Sequence, residues 1–127
     1  MGYAATMSFT PRELDLLATQ RELEIETKAP DGPPRRTIIW AVVDDGQVFV
    51  RSYRGRGARW YREARADPAV ALHVDGQRLT ATAIPATDPA ALDRATAALS
   101  RKYAGDPATP SMLRPEILDT TLRLEPA

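Results

Sequence analysis

The sequence predicts a mainly antiparallel β protein with α decoration, an α+β chain, and three observations predict it. Short runs in which apolar and polar residues alternate recur along the chain, as half-buried strands require. Two Asp-Gly pairs, Asp45-Gly46 and Asp75-Gly76, join such runs by turns far too short for a parallel crossover. Only three segments carry helical signals, so helices decorate a sheet rather than form the core.

In chain order, residues 1–9 read as a loose lead-in. Thr10-Pro11-Arg12-Glu13 is a helix start, with Thr10 as N-cap, Pro11 in the first turn and Glu13 closing a capping box. A helix is expected over 10–19, burying Leu14, Leu17 and Ala18. Residues 22–27 alternate strictly, which places Glu22, Glu24 and Glu26 on a wet strand face. Asp31-Gly32-Pro33-Pro34 turns the chain back. Residues 37–43 are apolar on both faces and read as a central strand. After the Asp44-Asp45-Gly46 turn, 47–53 run back with Val48 and Val50 on one side and Phe49, Arg51 and Tyr53 on the other. Arg54-Gly55-Arg56-Gly57 is a flexible link to a helix over 58–66, which Asp67-Pro68 ends. Residues 70–74 and 77–84 form a second hairpin. Thr87-Asp88-Pro89 starts the longest helix, 89–103, with Leu92, Ala95, Leu99 and Tyr103 on one face. Residues 107–115 are loop with room for one helical turn, and 118–125 form the last strand. The expectation is six strands in a single domain, 1–127.

At 127 residues, 43% hydrophobic and 27% charged, the chain has the composition of one globular domain. No apolar run is long enough to span a membrane, and the first residues have neither the basic start nor the apolar stretch of a secretory signal. With no cysteine, thiolate chemistry and zinc or iron–sulfur ligation through sulfur are excluded, and a cytoplasmic location is the default expectation. Net charge is zero, which disfavours a nucleic-acid partner that would need a broad positive field. Arginine supplies fifteen of the seventeen basic residues, leaving Lys28 and Lys102. That bias makes a single arginine weak evidence for anion binding; clustering counts for more.

One cluster exists. Arg51-Ser52-Tyr53-Arg54-Gly55-Arg56-Gly57-Ala58-Arg59-Trp60-Tyr61-Arg62 combines a strand end, glycines that let backbone approach an anion, a helix N-terminus with free N–H groups, and arginine forks matched to phosphate oxygens. The bland alternative is a solvated loop with Trp60 in the core. Elsewhere catalytic side chains are scarce. His73 is the only histidine, sits mid-strand, and supports neither a Ser-His-Asp arrangement nor a transition-metal site. A chain so poor in acid–base groups suits a protein whose chemistry belongs to a bound cofactor, or one without catalysis.

The run from Val50-Arg51-Ser52-Tyr53 through Gly55-Arg56-Gly57-Ala58-Arg59-Trp60-Tyr61 and Arg65-Ala66-Asp67-Pro68 to Val70-Ala71-Leu72-His73-Val74 resembles the split β-barrel superfamily of pyridoxamine-phosphate oxidases and deazaflavin-dependent nitroreductases. Thr121-Leu122-Arg123-Leu124-Glu125-Pro126 is similar to the last strand of an uncharacterised bacterial family within it. The resemblance covers about residues 20–126. It implies a six-stranded split barrel and a homodimer with the cofactor at the interface. Phosphate would be held by Arg51, Ser52, Arg54, Arg56 and Arg59, with Trp60 beside them, and the ring would lie against Ile39, Trp40 and Ala41. The implied cofactor is FMN or an 8-hydroxy-5-deazaflavin coenzyme, and the implied activity is oxidation or reduction of a small organic substrate. The alternative is a non-catalytic module binding a flavin or another anionic small molecule. The oxidases' Ser-Arg-Lys phosphate motif is not present as such, which leaves FMN against deazaflavin open.

Overall fold

In the computed structural model, which describes residues 8–127, the chain begins on the expected cap. The Thr10 hydroxyl accepts from the Glu13 N–H, and the Glu13 carboxylate accepts from the Thr10 N–H, so α1 (Pro11–Thr19) opens on a complete capping box. Residues 1–7 of the lead-in lie outside the described residues. Phe9 does not fit that reading, because it is buried in the core with Leu17.

β1 (Leu23–Lys28) and β2 (Pro34–Ile39) form an antiparallel ladder, followed by β3 (Ala41–Asp44) and β4 (Gln47–Val50). After a 3₁₀ turn at Gly55–Gly57 come α2 (Arg59–Ala66), β5 (Ala69–Val74), β6 (Gln77–Pro85) and α3 (Pro89–Lys102). A one-turn helix, α4 (Thr109–Met112), and a 3₁₀ stretch at Pro115–Thr120 lead to β7 (Leu122–Pro126). Both Asp-Gly turns place their two residues at positive φ: 49° and 76° at Asp45-Gly46, 50° and 75° at Asp75-Gly76. That geometry matches the twist of tight antiparallel hairpins.

All pairings are antiparallel, in the order β2-β1-β5-β6-β7-β4-β3, and the sheet curls into a half-barrel. It has seven strands, not the expected six. The run 37–43 is not one central strand: it breaks at Trp40, and its halves become the two opposite ends of the sheet. The cause lies in α3. Trp40 stacks on Tyr103 at 3.8 Å with ring planes 5° apart, while Lys102 Nζ donates to the Ala41 carbonyl at 2.6 Å and to the Leu17 carbonyl at 3.0 Å. The end of α3 thus fastens a corner where sequence pattern suggested a straight strand. Both faces read as apolar because Ile39 and Ala41 enter the barrel core while Val42 packs beneath α3.

Two packed layers result. Ile25, Val48, Val50, Leu72, Leu122 and Leu124 fill the inner face with Trp60 of α2 and Leu17 of α1. On the other face of β3 and β4, Val42 and Phe49 meet Ala95, Leu99 and Tyr103 of α3. Each such large apolar side chain contributes roughly 1.5–3 kcal/mol by leaving water. The last strand is shorter than expected and begins at Leu122, because the Thr120 and Thr121 hydroxyls donate back to the Ile117 and Leu118 carbonyls and hold 115–120 in a turn. Among the described residues no helix is long and apolar enough to cross a membrane.

Candidate functional site

The arginine segment begins where β4 ends. Arg51 leaves the ladder, and the Ser52 N–H donates to Thr120 Oγ1 at 3.1 Å while Ser52 Oγ donates to the Gly55 carbonyl at 2.7 Å. The chain then turns sharply through Gly55, at φ 71°, a conformation that suits glycine.

The structure divides the five predicted phosphate ligands into different environments. Arg51 is only 2% exposed: Nε donates to Thr121 Oγ1 at 2.8 Å, Nη1 to the Met112 carbonyl at 2.9 Å and Nη2 to Thr96 Oγ1 at 3.1 Å. Ser52 is fully buried. Arg59 bonds Glu63 at 2.8 Å and Thr37 at 3.2 Å, and Glu63 also accepts from Thr27 at 2.8 Å, so this group ties α2 to β1 and β2. Arg56 is exposed and paired with Asp119. Arg54 is exposed and lines an open pocket of about 500 Å³ with Tyr53, Gly55, Ile117, Glu116 and Arg114.

A second, more apolar cleft of about 320 Å³ adjoins the first at Tyr53. The end of β2 supplies Ile38 and Ile39, the corner supplies Trp40, and α2 supplies Trp60. Arg51, Met112 and Ala108 line it from the β4 and α4 side, with Glu22 and Tyr53 completing the wall. Three of the residues named for the ring and its surroundings (Ile39, Trp40 and Trp60) therefore share one cleft. Ala41 does not line it; that residue is buried and its carbonyl serves Lys102.

Sequence reasoning missed Arg114, Ile38, Tyr53, Met112 and Glu22. Arg114 Nη2 donates to the Tyr53 carbonyl at 2.6 Å, its Nε to the Ser111 carbonyl at 2.7 Å, and its guanidinium lies 5.8 Å from the Tyr53 ring centre. Tyr53 and Arg114 are sixty-one residues apart, and no local pattern links them.

The sole histidine lies elsewhere. His73 Nε2 is 2.7 Å from Glu26 Oε1, and Arg78 holds Glu26 Oε2 at 3.0 Å. Glu26 thus departs from the expectation that it simply meets water. Its hydrogen bonds, first from Arg78 and then from His73, lower its pKa from 4.5 to about 2. The cause is register: Glu26 sits on β1 beside β5, and β5 beside β6, so both partners fall within reach.

The half-barrel thus carries an aromatic cleft beside an arginine-bearing pocket. By sequence this chain belongs to the bacterial family DUF2255, described as an uncharacterized protein conserved in bacteria, whose model matches residues 13–124. Comparison with curated proteins gives no match. Among solved structures, the chain is similar to HutZ, the heme storage protein of Vibrio cholerae (16% identity, TM-score 0.69, covering 95% of this chain and 92% of that one). It is similar to a Listeria innocua protein assigned as a pyridoxamine 5′-phosphate oxidase (14%, 0.60, 91% and 90%). It is similar also to an F420 reductase (20%, 0.58, 89% and 91%). At these identities the likeness is one of fold.

Proposed function

We propose that this protein is an oxidoreductase that binds a flavin or deazaflavin and acts on a small organic substrate. The observation that carries the reading is the continuity of two unlike surfaces at Tyr53: an aromatic cleft of about 320 Å³, and an open pocket bearing Arg54 and Arg114. The donor set fits the group. Arg54 and Arg114 line the open pocket and would hold its phosphate; Arg51 lines the cleft instead, Ser52 is buried and Arg59 is paired with Glu63. Gly55 lines the same pocket and turns the chain there at φ 71°, a conformation in which a side chain would be strained. Trp40, Ile39 and Trp60 would line the ring's place.

When bound, the cofactor supplies hydride transfer. The protein's part is to position it and to exclude water with Trp40, Trp60 and Met112. The Trp40 ring is itself immobilised by its stack on Tyr103, which supplies a rigid wall without using a polar group. The alternative, a binding module without turnover, draws on the same cleft: among the described residues, Glu22 and Tyr53 are the only acid–base side chains lining it.

A second copy of the chain completes the site in this reading. Among the described residues, Ile38 (63% exposed) and Tyr53 (51%) are the large apolar side chains left open to solvent, and both line the cleft. Covering them by a homodimer buries apolar surface that a monomer leaves wet. Visible absorption of the purified protein, then titration with FMN and with a deazaflavin, tests the cofactor. Light scattering tests the dimer. Binding of neither cofactor would defeat the proposal; binding without substrate-dependent bleaching would favour the module.

A further inference from the structure

Arg51 is a buried cation without an anion. Among the described residues it enters none of the ion pairs, and no carboxylate lies within 4.0 Å of its guanidinium. Its three acceptors are two threonine hydroxyls and one backbone carbonyl, all neutral. A guanidinium taken out of water into such surroundings lacks the opposite charge that ordinarily offsets its lost hydration. Burial accordingly pushes its pKa down. The residue also lines the aromatic cleft, beside Trp40, Trp60 and Met112.

From this placement we infer that the cleft is built for a planar aromatic anion, whose negative group is seated at Arg51. The inference rests on the reading that this cleft is the ligand site and goes further, naming the charge of its occupant. The two parts of the site then read charge differently. Arg54 and Arg114 face an open pocket, where salt screens them. Arg51 acts from a dry position, where screening is weak and a charge-assisted hydrogen bond is strong. Glu22 lines the same cleft from an exposed position and opposes any anion that approaches. Its removal should therefore tighten binding, whereas removal of Arg51 should abolish the preference for charge.

The test uses the intact protein and a matched pair of probes, 2-naphthoate and the neutral 2-naphthamide, by titration calorimetry at low and at high salt. Tryptophan emission is a second readout when the probes are replaced by benzoate and benzamide, because both tryptophans of the chain line the cleft. The carboxylate should bind roughly ten- to a hundredfold more tightly than the amide, and the ratio should survive high salt. Glu22→Gln should raise carboxylate affinity several-fold and leave the amide unchanged. Arg51→Met should equalise the two probes. If that variant fails to fold, the wild-type ratio and the Glu22→Gln effect still decide the matter. Equal affinities in the wild type, a preference erased by salt, or no binding of either probe would overturn the inference. FMN or deazaflavin binding without charge discrimination would sink it alone. Discrimination without either cofactor would sink the proposed activity and leave the anion site standing.

Discussion

Arg51 and Arg54 stand three residues apart in one arginine-rich run, yet they occupy opposite physical worlds. The first is sealed in and fastened to Thr121 just ahead of β7, to Thr96 of α3 and to Met112 at the end of α4 by three neutral acceptors. The second stands in solvent at the edge of an open pocket. The difference teaches that an arginine cluster is not a unit of function. The chain buries Arg51 and Ser52 at the strand end and then releases Tyr53 and Arg54 outward just ahead of the turn at Gly55. One guanidinium is held in the wall of the aromatic cleft, and the next stands open to solvent at the neighbouring pocket.

Substitution should separate the two sharply. Arg51→Ala removes three hydrogen bonds and leaves a cavity between sheet and helix, so unfolding stability should fall by about 2–4 kcal/mol, read by urea denaturation. Arg54→Ala should leave stability within about 0.5 kcal/mol and instead weaken cofactor phosphate binding by about 1.5–3 kcal/mol, ten- to a hundredfold. If both arginines behaved alike in both assays, the contrast would be false. Arg56→Ala should have a smaller effect on binding than Arg54→Ala, since Asp119 already claims that side chain. An exposed pair of this kind is worth under about 1 kcal/mol. Arg65→Ala, near the far end of α2, is the control and should leave cofactor titration unchanged.

A separate set of effects comes from pH. The folded-state pKa of Glu26 is depressed from 4.5 to about 2, so its stabilisation is present above the unfolded value and lost as pH falls through about 2. Glu26→Gln should flatten the acid limb of the stability curve. Lys102 is also depressed, from 10.5 to about 8, by burial. For a base the sign reverses: the cost of its buried charge stands in full below about 8 and is relieved as pH rises toward 10.5. Tyr103 opposes this above 10, because burial raises its pKa to about 12 and the folded state then holds a proton that the unfolded chain has released. Lys102→Met should remove the rise between about 8 and 10 in a pH series of thermal melts.

Much of the fold was legible because its signals are local. Thr10 with Glu13 and the two Asp-Gly pairs each specify geometry within four residues, and each appears where the sequence placed it. The break at Trp40 was not legible, since its cause is Tyr103 and Lys102 on a distant helix. The candidate site divides the same way. Trp40, Ile39 and Trp60 were named and do share a cleft, but Arg114 reaches Tyr53 only through the tertiary fold. Nothing in the spacing of arginines could reveal that Arg51 turns inward, because the strand alternation puts it beside Phe49, a core residue, and Tyr53, an exposed one.

The position of β7 has a consequence for folding kinetics. It alone joins β6 to β4, and without it the sheet is two separate pieces, β2-β1-β5-β6 and β4-β3. The hairpins β1-β2, β3-β4 and β5-β6 are local and close in microseconds, whereas Ile25 of β1 must find Leu72 of β5, and β7 must find β4 across some seventy residues of chain, with the larger loop-closure entropy. Two half-sheets with unsatisfied edges at β6 and β4 therefore wait on the docking of a single five-residue strand. Until then those edges offer themselves to other chains, so the yield of refolding should fall with protein concentration more steeply than the stability of the finished molecule would suggest.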